Sequence, residues 1–160
     1  DSDLAVADAA ARAHCATLIV MNKWDKAQPE LDHLHGVVRA KVRQRPPVEI
    51  SSATTGEGID RLLPAALRLY DRMSERVSTH KLNTELRRLA EERPGPRDGQ
   101  RRLSLRYMVQ TGTMPPTFRL DVNDRVLMTR DYGFWLENRI RRAFDLDGVP
   151  VIIEVRGRQH

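Results

Sequence analysis

The sequence holds one cysteine, Cys15, in 160 residues, so it has no partner for an internal disulfide. That excludes a disulfide-stapled secreted fold and favours a reducing compartment. The longest largely apolar stretch, Ala16 to Met21, is far short of the roughly 20 residues a membrane helix needs. No signal peptide or lipidation motif stands at the start. The first residue is Asp1 rather than Met, from which we expect a piece of something longer. Nine glycines and nine prolines exclude collagen-like and low-complexity chains, and no internal repeat is present. What is there suits a buried core: 40% of residues are hydrophobic and 31% charged, in a length that fits one ordinary domain or two small ones.

Lysine is also scarce. Only 4 of the 27 basic residues are Lys, and the other 23 are Arg. Arginine suits phosphate and base-plane contacts, although a gene rich in G and C gives the same excess. The net charge of +5 is unevenly spread. Residues 1–60 carry 7 basic against 9 acidic side chains, whereas residues 61–160 carry 20 against 13. The second part therefore has the sign expected of something that meets phosphate.

The first part alternates helix and strand. Asp3 to Arg12 reads as the end of a helix, and Ala16–Met21 as a parallel strand buried on both faces. A helix over Leu31–Arg45 follows, with Leu34, Val37, Val38 and Val42 at helical spacing, stopped by Pro46-Pro47. Val48–Ile50 is a short strand. Ser51 to Gly58 is a loop. A last helix from Gly58 to about Met73 places Ile59, Leu62, Leu63, Ala66, Leu67 and Tyr70 on one face, with Pro64 near its start. The pattern αβαβα calls for a parallel sheet with helical crossovers, and two such strands expect neighbours.

The second part has another rhythm. After a polar connector, Leu82, Leu86, Leu89 and Ala90 mark an amphipathic helix, and Arg93 to Gln100 reads as a loop. Leu103–Gln110 and Phe118–Val122 alternate as half-buried strands. Asp131 is the expected N-cap of a helix through about Phe144, with Trp135, Leu136, Ile140, Ala143 and Phe144 inward. Val151, Ile153 and Val155 make a third strand. The order α-β-β-α-β is that of a small α+β domain with helices on a three-stranded sheet. The expected division is 1–74 for the α/β part, 75–80 for a connector and 81–160 for the α+β domain.

Two loops carry candidate chemistry. Asn22-Lys23-Trp24-Asp25 stands at the carboxyl end of the first strand, where ligands of parallel sheets bind. An aspartate there can accept from guanine N1–H and its exocyclic amine, and adenine would leave it unpaired. Lys23 can lay its aliphatic stem on the base plane, and Asn22 can tie the loop to neighbouring backbone. Ser52-Ala53-Thr54 follows the next strand, thirty residues after Asn22. Neighbouring strand ends lie side by side, so both loops can face one base, with the Ala53 N–H available to guanine O6.

These motifs resemble the fourth and fifth motifs of the P-loop GTPases, and Trp24 narrows the resemblance to the Der/EngA family. Thr79-His80-Lys81-Leu82-Asn83 is similar to that family's domain junction. Leu103–Tyr107 with Gln110, Pro115–Phe118, Leu136–Arg139 with Arg142, and Gly148–Ile152 resemble its KH-like domain. The fold class implied is α/β: a partial P-loop GTPase domain, the αβαβα remnant of a doubly wound parallel sheet, followed by a small α+β KH-like domain. The resemblance implies a parent with tandem GTPase domains that binds GTP or GDP with Mg²⁺ and acts in assembly of the large ribosomal subunit. Implied partners are that subunit, its ribosomal RNA and the upstream GTPase domains, with no membrane and a cytoplasmic location. Guanine binding falls to Asn22, Lys23, Asp25, Ser52, Ala53 and Thr54.

The phosphate-binding pattern G-x-x-x-x-G-K-[ST] does not occur, so this chain alone is expected not to hydrolyse GTP and to bind it poorly. No catalytic residue is assigned. The G-x-x-G clamp of RNA-binding KH domains is also missing. Candidate RNA contacts by charge are Arg101, Arg102, Arg106, Arg139, Arg141 and Arg142. The alternative is a non-enzymatic RNA- or ribosome-binding module with a relic GTPase stub. His33 and His35 lack the further ligands of a metal site. Cys15 reads as a small buried filler, Phe134 and Trp135 as core, and Trp24 as partly exposed.

Overall fold

The computed structural model describes residues 2–158, except for the side chains of Ser2 and Leu4. By contacts the chain forms two compact units. The first runs to Met73 and takes in Asp147–Pro150, and the second comprises Ser74–Leu146 with the residues from Val151 onward.

The first unit contains α1 (Ser2–Arg12), β1 (Ile19–Met21), α2 (Leu31–Lys41), β2 (Val48–Ile50) and α3 (Ile59–Ser74). β1 and β2 pair in parallel, Ile19 opposite Val48 and Met21 opposite Ile50. Ala7, Val38 and Val42 form a buried cluster against Ile19 and Val48, which fixes α1 and α2 to this sheet. The first strand is shorter than its apolar run predicts. It is also not buried on both faces, since Val20 is 39% exposed. α2 ends at Lys41, before the two prolines, and Val42 closes it by donating to the Val38 carbonyl at 2.8 Å.

The inner face of α3 also differs from the expected one. Ala65 and Leu69 are buried, while Ile59, Leu63, Leu67 and Tyr70 are exposed. The apolar stripe of this helix is wide enough for two faces, and the chain covers the one centred on residues 65 and 69. Pro64 lies in the second turn rather than the first. Lacking an N–H, it leaves the Asp60 carbonyl without its helical donor. Cys15 is exposed, which overturns its assignment as buried filler.

Within this unit Gly148 accepts the Thr17 N–H at 2.8 Å and donates to the Gln44 carbonyl at 2.7 Å. Its φ is +84°, and a Cβ there would meet Leu69 and Pro47 atoms at 2.7 Å, so only glycine fits.

The second unit contains α4 (Thr79–Glu92), the small hairpin β3 (Arg97–Asp98) and β4 (Arg101–Arg102), β5 (Leu105–Gly112), β6 (Thr117–Asp124), α5 (Arg130–Ala143) and β7 (Ile152–Arg158). The hairpin occupies the stretch expected to be a loop. The main sheet has the order β5-β6-β7, antiparallel then parallel. Along β6 burial alternates strictly, sending Phe118, Leu120 and Val122 inward. Leu82, Leu86 and Leu89 of α4 and Tyr132, Leu136 and Ile140 of α5 are buried as well. Each fully buried side chain of this kind contributes roughly 1.5–3 kcal/mol.

Ser78 caps α4 through its hydroxyl, which accepts the Lys81 N–H. Thr129, not Asp131, caps α5, accepting from Tyr132 N–H at 3.3 Å, and Asp131 lies in the first turn. Tyr132 replaces Ala143 on the inner face, and Phe134 and Trp135 are only half-buried. No helix of the described residues is long and apolar enough to cross a membrane.

Candidate functional site

The parallel pairing of β1 with β2 brings two loops together. Ser51 donates to the Met21 carbonyl at 2.9 Å, and Trp24 donates to the Ser51 carbonyl at 3.1 Å, which carries the ladder past the strand ends. Trp24 is buried, only 7% exposed, so it anchors the loop from beneath rather than standing partly open to a ligand as the sequence suggested. On either side of it Asn22, Lys23 and Asp25 are exposed. Lys23 has a φ of 62°, a left-handed conformation uncommon outside glycine.

Ser52 is the joint between the loops. It is fully buried, and its hydroxyl donates to Asp25 Oδ1 at 2.5 Å while accepting the Thr55 N–H at 3.2 Å. Its backbone donates to the Glu57 carbonyl at 2.9 Å and accepts from Gly56 at 2.8 Å, closing the turn. Gly58 ends the loop at φ +73°, where a Cβ would overlap the Ile50 carbonyl. Across the loops the Ala53 N–H donates to Asn22 Oδ1 at 3.2 Å. That N–H, which the sequence assigned to guanine O6, is thus already engaged, and a base oxygen would share it or replace Asn22. Ala53 and Thr54 are exposed at the same rim. No group of three or more metal-ligating side chains occurs among the described residues.

The arginines proposed as RNA contacts separate into two sets. Arg101 pairs with Asp124 at 3.0 Å and Asp98 at 3.1 Å, and Arg139 pairs with Glu92. Arg141 is 1% exposed, with its guanidinium 3.0 Å from Glu137 and 3.4 Å from Asn138 Oδ1. It cannot reach a surface ligand, because its position in α5 turns it into the core; its assignment as an RNA contact is corrected. Arg102, Arg106 and Arg142 are exposed, with no ion pair among the described residues.

Two features were missed in the sequence. Arg93 lies 5.6 Å from the Tyr132 ring centroid and 5.4 Å from that of Trp135. Asn83 bonds both backbone groups of Met108. Neither leaves a periodic signal, since each depends on elements distant in sequence.

The sequence of the second unit is matched by that of a known family. Residues 76–156 match the KH-domain-like, C-terminal domain of EngA bacterial GTPase enzymes. The chain belongs to the Der/EngA family. Proteins called GTPase Der from Cereibacter sphaeroides and from Dinoroseobacter shibae are each 36% identical to it. One from Jannaschia sp. is 35% identical. Each match takes in 98% of this chain, which spans about a third of the relatives' length, 33 to 34%. As a Der/EngA chain, it carries Asn83 in α4 and Gln110 in β5 as the polar links between helix, connector and sheet. Gln110 Oε1 accepts from the Val77 N–H at 2.7 Å, and its amide nitrogen donates to the Glu75 carbonyl at 3.0 Å.

Proposed function

We propose that the first unit is the back half of a GTPase domain, spanning residues 1–74, and that it reads the guanine base of GTP or GDP. The observation that carries this reading is the Ser52 hydroxyl held 2.5 Å from Asp25 Oδ1. That bond fixes the carboxylate while leaving its lone pairs for two donors. Guanine presents N1–H and N2–H₂ at the required spacing; adenine presents an acceptor and repels the site. Lys23 covers the base plane with its stem, Asn22 and Ala53 link the loops behind it, and Thr54 closes the rim. Magnesium and the phosphates belong to residues this chain does not supply, so the reaction of a loaded GTPase is phosphoryl transfer to water positioned elsewhere.

The second unit, after a connector at 75–80, is a KH-like domain over 81–160 that we place on ribosomal RNA during assembly of the large subunit, in the cytoplasm. Its exposed Arg102, Arg106 and Arg142 support that placement by charge. The alternative, an RNA-binding module with a relic stub, differs in making Asn22, Lys23 and Asp25 idle.

Ligand-observed NMR of the purified chain with guanosine and adenosine monophosphates tests the first unit. Guanine-selective saturation transfer that vanishes in Asp25→Ala supports the proposal. Equal transfer from both nucleotides, or none, leaves the relic stub. No GTP hydrolysis above an Asp25→Asn control is expected from this chain alone.

A further inference from the structure

We propose that the face of the β5-β6-β7 sheet opposite the helices is a platform for single-stranded RNA, on which Tyr107 stacks an unpaired base and Arg106 and Arg156 hold the flanking phosphates. This deepens the RNA reading of the second unit and rests on it, naming a face and an aromatic side chain that the charge pattern did not single out.

The argument starts from strand alternation. Met108, Phe118, Leu120 and Val122 are buried under the helices, so their neighbours Tyr107, Arg119 and Asp121 belong to the other face. Register places Tyr107, Asp121 and Arg156 in one cross-strand row, with Val109, Arg119 and Glu154 in the next. Two strand spacings of roughly 4.8 Å separate Tyr107 from Arg156, within reach of a long arginine side chain. Between Leu105 and Tyr107 the register shifts, and Arg106 is the extra, exposed residue of that bulge.

Tyr107 is 40% exposed. Among the described residues it makes no hydrogen bond or ring contact, and no other large apolar side chain of the three strands is as open. Tyr132, by contrast, is buried and bonded. The charge of the face is cationic in balance. Arg119 and Asp121 neutralise one another at 3.4 Å, leaving Glu154 against Arg106 and Arg156, which are exposed and without ion pairs among the described residues. The core of a protein interface is depleted of charge, whereas Arg119, Asp121, Glu154 and Arg156 stand across the middle of this face. One open ring amid cations is instead the recipe for stacking a base and following its backbone.

Fluorescence anisotropy of the purified chain with a short labelled oligouridine at low salt tests this. Tyr107→Ala is expected to weaken binding roughly 5- to 100-fold, and Tyr107→Phe by no more than about twofold, because the π-face remains. Arg156→Ala should reduce the slope of log affinity against log salt by about 0.7. Both positions are exposed, and melting curves of the variants verify folding; if Tyr107→Ala does not fold, Arg156→Ala carries the test. Wild-type binding that neither variant changes overturns the platform but leaves the RNA reading of the domain intact. No oligouridine binding at low salt overturns both. Tighter binding to polyglutamate with the same Tyr107 dependence makes the occupant an acidic protein and also overturns the proposal.

Discussion

Asn83 completes the free edge of β5: its side-chain amide donates to the Met108 carbonyl at 2.8 Å, and its oxygen accepts the Met108 N–H at 3.0 Å. A single side chain in α4 thus acts as the neighbouring strand that β5 lacks. An unpaired edge is a liability for a small sheet, and here the helix covers it with hydrogen bonds as well as leucines.

Asn83→Ala removes both bonds and leaves two backbone groups of a buried residue unsatisfied. We expect a stability loss of about 2–4 kcal/mol, counted as one to two unsatisfied groups. Chemical denaturation monitored by circular dichroism reads it directly. A midpoint unchanged from wild type would mean that water replaces the amide fully.

At the proposed guanine site, Ser52→Ala frees the Asp25 carboxylate while leaving Asn22, Lys23, Asp25 and Ala53 in place. Guanine affinity should fall by roughly tenfold, as for one lost charge-assisted bond. Asp25→Asn exchanges an acceptor for a donor, so selectivity should move from guanine toward xanthine, whose C2 oxygen accepts that donor. Parallel titrations with the two bases decide the matter.

Arg141→Ala leaves Glu137 buried in α5 without its guanidinium partner. Breaking such a pair costs about 3–5 kcal/mol. RNA affinity measured well below the lowered melting temperature should equal wild type, because Arg141 is not at the surface. A loss of affinity without a loss of stability would restore it as a contact.

Tyr132 gives the second unit an alkaline limit. Burial raises its pKa from the ordinary value of 10.0, opposed by the nearby positive charge of Arg93, while its hydroxyl donates to the Arg93 carbonyl at 3.0 Å. The folded state therefore holds the phenolic proton more tightly than the unfolded one. Its contribution is complete below about pH 10 and is lost as pH rises through the folded value. Tyr132→Phe should flatten that alkaline decline while costing about 1 kcal/mol at neutral pH for the lost bond. Melting temperatures of both proteins from pH 8 to 11 test the sign.

The element order was legible in the sequence because it rests on local period. The spacing of Leu82, Leu86 and Leu89 fixes a helix face, and the alternation from Phe118 to Val122 fixes a strand, whatever surrounds them. The two loops were legible too, since Asn22–Asp25 and Ser52–Thr54 are contiguous motifs at strand ends, and the structure joins them by hydrogen bonds. Periodicity did not say which of two apolar stripes of α3 would be covered. That depended on tertiary neighbours such as Gly148, beside which Leu69 lies, and Leu69 rather than Tyr70 went inside.

The same limit applied to polar side chains. Sequence alone determined that arginine dominates the second unit. Only the tertiary structure decided that Arg141 is buried, Arg101 and Arg139 are ion-paired, and Arg106 is exposed beside an open Tyr107. Charge and type are properties of one residue, but burial and pairing depend on partners far along the chain.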